Sequence, residues 1–91
     1  MWVQPKEHKV VGAVLAAARE RAGLTQTQIA KRLRKPQSFV SNYESGQRRI
    51  DVLELLRIAE AIGDNAQTIF TEIASRSDVS LGRRRRKKLA R

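Results

Sequence analysis

The sequence contains no cysteine and a single histidine, His8, among its 91 residues. Without cysteine the chain can form neither a disulfide framework nor a thiolate metal site, and one histidine cannot supply a metal-binding cluster. No nucleophile and base are arranged as a catalytic pair. We therefore expect no enzymatic activity, no metal and no cofactor.

Aromatic residues and long hydrophobic runs are also scarce. The four aromatic residues are Trp2, Phe39, Tyr43 and Phe70, and no apolar run is long enough to cross a bilayer. The run "VVGAVLAAA" (10–18) follows two lysines and imitates a secretory signal, but it fits one face of a helix that the remaining chain needs. We expect a cytoplasmic protein without membrane contact.

Acidic residues are few, and the basic excess is concentrated at one end. The chain has 19 basic and 9 acidic residues, a formal charge of +10. Residues 83–91, "RRRRKKLAR", hold seven of the basic side chains and no acid. Such a distribution favours a polyanionic partner, either nucleic acid or an anionic membrane surface. The predicted basic tail comprises Arg83, Arg84, Arg85, Arg86, Lys87 and Lys88.

Apolar residues recur at helical spacing in five segments joined by short connections, which predicts an all-α fold. Three of these segments are followed by glycines where helices often end in a left-handed residue. Three helix starts carry capping residues: Thr25 with Gln28, Asp51 with Glu54, and Asn65. The inward face of the fourth helix is predicted to contain Val52, Leu55, Leu56, Ala59 and Ile62, and that of the fifth Ala66, Ile69, Phe70 and Ile73.

The helical periodicity divides the chain into three parts. Residues 1–8 are predicted to be a flexible segment in which His8 is solvated, and residues 9–76 a single helical domain. Residues 77–91 gain serine, glycine and then the charge block, so we expect them to be mostly disordered when free.

The third helix is nearly uncharged in an otherwise basic chain. From Pro36 to Gly46 the only side chain charged at neutral pH is Glu44. Helical projection separates an apolar face (Phe39, Val40, Tyr43) from a polar face formed by Gln37, Ser38, Ser41 and Asn42. Amide and hydroxyl groups both donate and accept hydrogen bonds and match base edges, whereas lysine would bind phosphate at any sequence. The alternative is a solvated face without a partner.

Residues 19–63, "RERAGLTQTQIAKRLRKPQSFVSNYESGQRRIDVLELLRIAEAIG", closely resemble the helix-turn-helix domain of lambda-type repressors and Cro, the XRE family. The pattern includes the "GLTQ" that precedes helix two and the short turn before helix three. The resemblance implies a five-helix repressor-like domain with a central helix-turn-helix, and a transcriptional regulator that binds double-stranded DNA.

The resemblance also implies roles for individual positions. Base contacts would come from Gln37, Ser38, Ser41 and Asn42, and phosphate contacts from Gln26, Lys35, Gln47, Arg48 and Arg49. Gln26 would also brace Gln37. Arg19 and Glu44 would form a partly buried structural salt bridge.

The turn between helices two and three departs from the family pattern. Arg34 and Lys35 stand where a glycine and an aliphatic residue are usual, so a left-handed conformation at Arg34 would be costly. Phe39 is large for its position, and we expect it to extend the core rather than to contact a thymine methyl group or a sugar.

Members of the family usually bind an inverted repeat as two-fold dimers, so a homodimeric, nucleoid-associated repressor is expected. Candidate dimer contacts are Ile50, Leu53 and apolar groups of helix five. Two alternatives remain open at this point. One is an antitoxin-type DNA-binding partner of another protein. The other is a non-specific nucleic-acid binder driven by the arginine tail.

Overall fold

Five α-helices make up the part of the chain that the structure, a computed structural model, describes: residues 5–77, with side chains from His8 onward. No strand occurs in this range, which confirms the predicted all-α class. The helices are α1 (Pro5–Arg21), α2 (Gln26–Leu33), α3 (Gln37–Ser45), α4 (Val52–Ile62) and α5 (Ala66–Arg76). The predicted disordered tail lies almost entirely outside the described residues.

The predicted helix caps are confirmed. The Thr25 hydroxyl accepts a hydrogen bond from the N–H of Gln28, and the Gln28 side chain accepts one from the N–H of Thr25. Asp51 and Glu54 repeat this reciprocal arrangement at the start of α4. Each box satisfies backbone donors that the first helical turn leaves without partners. These capping residues therefore determine where α2 and α4 begin.

The core forms around α1, which contacts α3, α4 and α5. Val14 and Leu15 are fully buried, together with the other large buried side chains Ile29, Val40, Tyr43, Ile58 and Ile69. Gly12 lets α1 approach the end of α3 closely, because a Cβ at this position would collide with the carbonyl oxygen of Tyr43 and lie 2.6 Å from that of Glu44. This contact fixes α3 against the domain.

The expectation of a flexible segment over residues 1–8 is wrong for its second half. Helix α1 begins at Pro5, and His8 is only 8% exposed rather than solvated. The His8 imidazole Nε2 lies 3.2 Å from the carbonyl oxygen of Arg48, so the start of α1 contacts the loop that follows α3. Sequence periodicity missed this contact because it links residues 40 positions apart.

The prediction that Val52, Leu56 and Phe70 face the core is also wrong. Val52 is 72% exposed, and Leu56 and Phe70 are about half exposed. The buried face of α4 runs through Ile58, Ala59, Ala61 and Ile62, which confirms the prediction for Ala59 and Ile62. Apolar residues at helical spacing identify the helix, but they do not decide which of two adjacent apolar stripes faces the core. The exposed stripe is therefore a surface feature of the domain.

Arg34 ends α2 in the left-handed conformation, with φ 59° and ψ 45°, and it is the sole non-glycine residue with positive φ between residues 5 and 77. We expect Arg34→Gly to raise the free energy of unfolding by about 1 kcal/mol, because glycine adopts this region without steric cost. Denaturant unfolding without DNA measures this. Lys35→Gly, at a position with negative φ, is the control and should destabilise; a destabilised Arg34→Gly variant would contradict the strain assignment.

Candidate nucleic-acid interface

Helix α3 is anchored by one face and exposed on the other. Val40 and Tyr43 are buried, and the Tyr43 ring meets Phe39 edge-on at 5.6 Å between centroids. Burial raises the pKa of the Tyr43 phenol well above its ordinary value. Because these side chains hold the inner face, the opposite face of α3 is presented to solvent in a fixed orientation.

The four residues predicted to contact bases share that outer side of the helix. Gln37, Ser38 and Asn42 are exposed, whereas Ser41 is half-buried. Their spacing of one, four and five residues places them on adjacent rows of one helix surface. The structure therefore brings the predicted set together as a neutral surface of amides and hydroxyls, which we call the polar face.

The start of α2 adjoins the start of α3 through two glutamines. Gln37 donates from Nε2 to Oε1 of Gln26 at 2.6 Å. Gln26 in turn donates from Nε2 to Oε1 of Glu44 at 2.8 Å. The expected contact between Gln26 and Gln37 is therefore present, and it connects the polar face to a group inside the domain.

That inner group is an ion pair between α1 and α3. Arg19 donates to both carboxylate oxygens of Glu44, at 2.7 Å from Nε and 3.1 Å from Nη2. The two side chains are 12% and 7% exposed. Arg19 also donates from Nη1 to the carbonyl oxygen of Leu24 at 2.7 Å. The hydrogen bond to Glu44 raises the pKa of the Arg19 guanidinium. The predicted pair thus ties α1, the turn before α2, and α3 together.

The loop after α3 holds Arg48 in an ion pair that the sequence did not predict. This residue, predicted to contact phosphate, donates two hydrogen bonds to Glu54, at 2.7 Å and 3.1 Å, and lies over the Phe39 ring, 4.6 Å from its centroid. The bonds from Arg48, followed by the N–H of Asp51, lower the pKa of the Glu54 carboxyl. Gln47 and Arg49 are exposed. Arg48 is therefore already engaged within the free protein.

Glu54 competes with DNA phosphate for Arg48 if the loop meets DNA. We expect Glu54→Gln to raise affinity for duplexes of any sequence and to steepen the salt dependence by about 0.9 in log–log slope, because one more cation can neutralise a phosphate. Glutamine preserves the capping box. Fluorescence anisotropy against salt concentration measures both quantities.

Asp51→Asn is the matched control for that measurement. It removes one negative charge from the same helix start, keeps a good capping residue and leaves the Arg48–Glu54 pair in place. Its slope should equal that of the unsubstituted chain. Equal slopes and equal affinities for all three proteins would show that releasing Arg48 from Glu54 adds no phosphate contact.

Phe39 belongs to the edge of the core. It is half-buried, packs on Tyr43, and has Lys35 Nζ 5.4 Å from its ring centroid in addition to the Arg48 guanidinium. This arrangement agrees with the expectation that Phe39 extends the core. Lys35 itself is exposed.

The remaining predicted features concern other chemistries and the tail. No group of His, Cys, Asp and Glu that could hold a metal occurs among the residues the structure describes. Within the same range no helix combines the length and hydropathy needed to cross a bilayer. The basic tail (83–88) lies outside that range, and its role in binding stays a prediction.

Comparison with known proteins gives a family match over the region that carries this geometry. A family model described as "Helix-turn-helix" matches residues 15–63, a little over half of the chain. A curated protein, the uncharacterized HTH-type transcriptional regulator y4dJ of Sinorhizobium fredii (strain NBRC 101917 / NGR234), is 36% identical over 55 residues, covering 60% of this chain and 71% of the relative.

Solved structures show the same arrangement of helices. An XRE-family like protein from Pseudomonas syringae pv. tomato str. DC3000 superposes with a TM-score of 0.70 at 34% identity, covering 77% of this chain and 85% of that chain. The restriction-modification controller protein C.AhdI from Aeromonas hydrophila superposes with a TM-score of 0.64 at 27% identity, covering 74% of this chain and 100% of that chain. The clp gene regulator ClgR from C. glutamicum superposes with a TM-score of 0.71 at 23% identity, covering 76% of this chain and 90% of that chain. At this identity the likeness is one of fold alone.

Proposed function

The chain belongs to the XRE type of helix-turn-helix family, whose members are DNA-binding transcriptional regulators, and from this premise we propose that it reads a specific sequence in double-stranded DNA through α3. Helix α3 enters the major groove. The protein acts as a homodimeric repressor on an inverted repeat, without catalytic activity, in the cytoplasm and at the nucleoid.

The polar face of α3 is the observation that carries this proposal. Gln37, Ser38, Ser41 and Asn42 form a neutral hydrogen-bonding surface on a helix whose other side is buried. Amides can pair bidentately with adenine, and serine can serve several bases. Lysine or arginine in these positions would increase affinity without reading sequence, because phosphates are the same at every base pair.

Phosphate binding is assigned to groups around that face. Gln26 and Lys35 precede α3 in the chain, and Gln47 and Arg49 follow it in the next loop. Arg48 joins them only when it leaves Glu54. These contacts orient the helix on the duplex, and the basic tail adds affinity for any sequence. Specificity and affinity therefore come from different parts of the chain.

The exposed stripe of α4 is the surface we assign to the dimer. Val52 is 72% exposed, and Leu53, at 67%, and Leu56 lie one and four residues farther along the same helix. Exposed apolar groups that cluster on one helix often mark a protein contact. A two-fold pair would double the short sequence that one α3 can read, and it would make the binding site an inverted repeat.

The role of α3 is tested by Asn42→Ala. On the preferred duplex we expect a loss of about 1–3 kcal/mol in binding free energy, with preference relaxed at one base position, because one amide loses its pairing with a base edge. Unrelated duplexes should bind as before. Competition binding at fixed salt measures both effects.

Gln67→Ala serves as the control for Asn42→Ala. It removes an exposed amide of similar chemistry from α5, outside the polar face, and should leave every affinity unchanged. An equal loss on all duplexes for Asn42→Ala would contradict a reading role and would favour a contact with phosphate.

A further inference from the structure

A continuous series of hydrogen bonds joins the interior ion pair to the polar face. Arg19 donates to Glu44, Gln26 donates to Glu44, and Gln37 donates to Gln26. The donor–acceptor distances along this path are 2.7 Å, 2.8 Å and 2.6 Å. We call Glu44, Gln26 and Gln37 the polar relay.

The relay has a direction that its chemistry dictates. An ionised carboxylate only accepts hydrogen bonds, so Gln26 must turn its Nε2 toward Glu44. Its Oε1 then faces Gln37, which must donate to it. A side-chain amide is otherwise free to present either end at nearly equal cost, because its terminal torsion is roughly two-fold. Glu44 therefore sets the orientation of the Gln37 amide, although it contacts that amide only through Gln26.

The orientation decides what Gln37 has left for a ligand. One Nε2 hydrogen is used by Gln26, which leaves one donor and the Oε1 acceptor. In the major groove adenine offers an acceptor at N7 and a donor at N6, which match this pair of groups. Guanine offers two acceptors, N7 and O6, and would require two donors.

We propose that Glu44, whose side chain is only 7% exposed, is a positioning residue for base recognition and makes Gln37 prefer adenine over guanine. This proposal rests on the proposed function, because it requires that α3 faces base edges. The Arg19 guanidinium holds Glu44 in place with two bonds, so the orientation is present before DNA binds.

Glu44→Gln tests the direction of the relay. Glutamine retains the size of the side chain but can donate from Nε2 to Gln26 while its oxygen accepts from Arg19 Nε. The bond from Arg19 Nη2 is then lost, because it ends on the same carboxylate oxygen as the bond from Gln26. Gln26 would then reverse, donate to Gln37 and leave both Gln37 hydrogens for DNA. On duplexes carrying the sequence selected by the unsubstituted chain, with each base at the position that Gln37→Ala relaxes, we expect the adenine-to-guanine affinity ratio to fall by on the order of 10-fold.

Two further variants separate positioning from folding. Gln26→Met breaks the relay in its middle and leaves the Arg19–Glu44 pair intact, so it should also lower the adenine-to-guanine ratio even if Glu44→Gln fails to fold. Glu20→Gln makes the same change in a 70% exposed carboxylate 3.8 Å from Arg19 and should leave the ratio unchanged. In a Gln37→Ala background, Glu44→Gln should change no base preference further.

The outcomes distinguish failure of the polar relay from failure of the proposed base contact by Gln37. A lower ratio at the single Gln37 position, absent in the Gln37→Ala background, supports the proposal. If Gln37→Ala relaxes that position but neither Glu44→Gln nor Gln26→Met alters the ratio, the relay is overturned and the reading helix stands. If Gln37→Ala changes no base preference, Gln37 does not read a base, and both its assigned contact and the relay are overturned.

Discussion

Replacement of Glu44 by alanine is expected to lower the free energy of unfolding by about 3–5 kcal/mol, because it leaves the Arg19 guanidinium buried without its carboxylate. Arg19 is 12% exposed and would retain only its bond to the carbonyl oxygen of Leu24 and a 3.8 Å approach to Glu20. Natural domains have total stabilities of roughly 5–15 kcal/mol. The loss would therefore be a large fraction of the total, and urea unfolding in the absence of DNA measures it.

Glu20→Ala provides the matched control for Glu44→Ala. Both substitutions remove a carboxylate near Arg19, but the Glu20 side chain is 70% exposed and its pairing is long. Exposed ion pairs contribute roughly 0–1 kcal/mol, so this variant should unfold almost as the unsubstituted chain does. Similar small changes for both variants would refute the structural role of Glu44.

Removal of residues 83–91 is expected to produce the largest change in DNA binding. The segment carries seven basic side chains, and each phosphate that it neutralises contributes about 0.9 to the slope of log affinity against log salt. If all seven bind phosphate, the slope falls by ~6 when the segment is removed. Affinity should decrease for every duplex, because phosphate contacts carry no sequence information.

A chain in which those seven cations are replaced by glutamine separates charge from length. It should behave like the truncated protein if electrostatics dominate. The base preference measured at fixed salt should survive in both variants, since it comes from α3. A slope that is unchanged by truncation would show that the tail does not contact DNA, whereas a lost preference would show that the tail contributes to reading.

Local features of this fold could be predicted from sequence because they depend on neighbours along the chain. The capping boxes at Thr25 and Asp51 involve residues three positions apart, and the glycines that end helices need only their own backbone freedom. The central helix-turn-helix was implied by the resemblance of residues 19–63 to a known family. A left-handed Arg34 could be considered from sequence because only three residues separate the end of α2 from the start of α3.

Tertiary features were predicted less well. The exposure of Val52 and Leu56 depends on how α4 is rotated against α1 and α2, and helical periodicity does not specify that rotation. The contact of His8 with the carbonyl of Arg48 joins residues far apart in sequence. Such contacts arise from the packed domain, so no short pattern in the sequence identifies them.

At the candidate site, too, local features could be predicted from sequence and tertiary contacts could not. Helical spacing alone places Gln37, Ser38 and Asn42 on one side of α3, and the structure agrees. The Arg48–Glu54 pair was missed, although Glu54 had been identified as a capping residue. A carboxylate six residues after an arginine gives no helical signal when a loop separates them. The connection of Gln26 to Glu44 likewise required the packing of α2 against α3.

Selection from random duplex DNA by the full chain at near-physiological salt, followed by sequencing of the bound pool, tests sequence-specific reading by α3 most directly. The expected result is an enriched inverted repeat whose half-sites lie about one helical turn apart, as two copies of α3 in successive major grooves require. The Asn42→Ala protein should select the same repeat with one position relaxed in each half. A pool that binds tightly without enrichment would contradict specific reading and would leave the chain as a phosphate-driven binder.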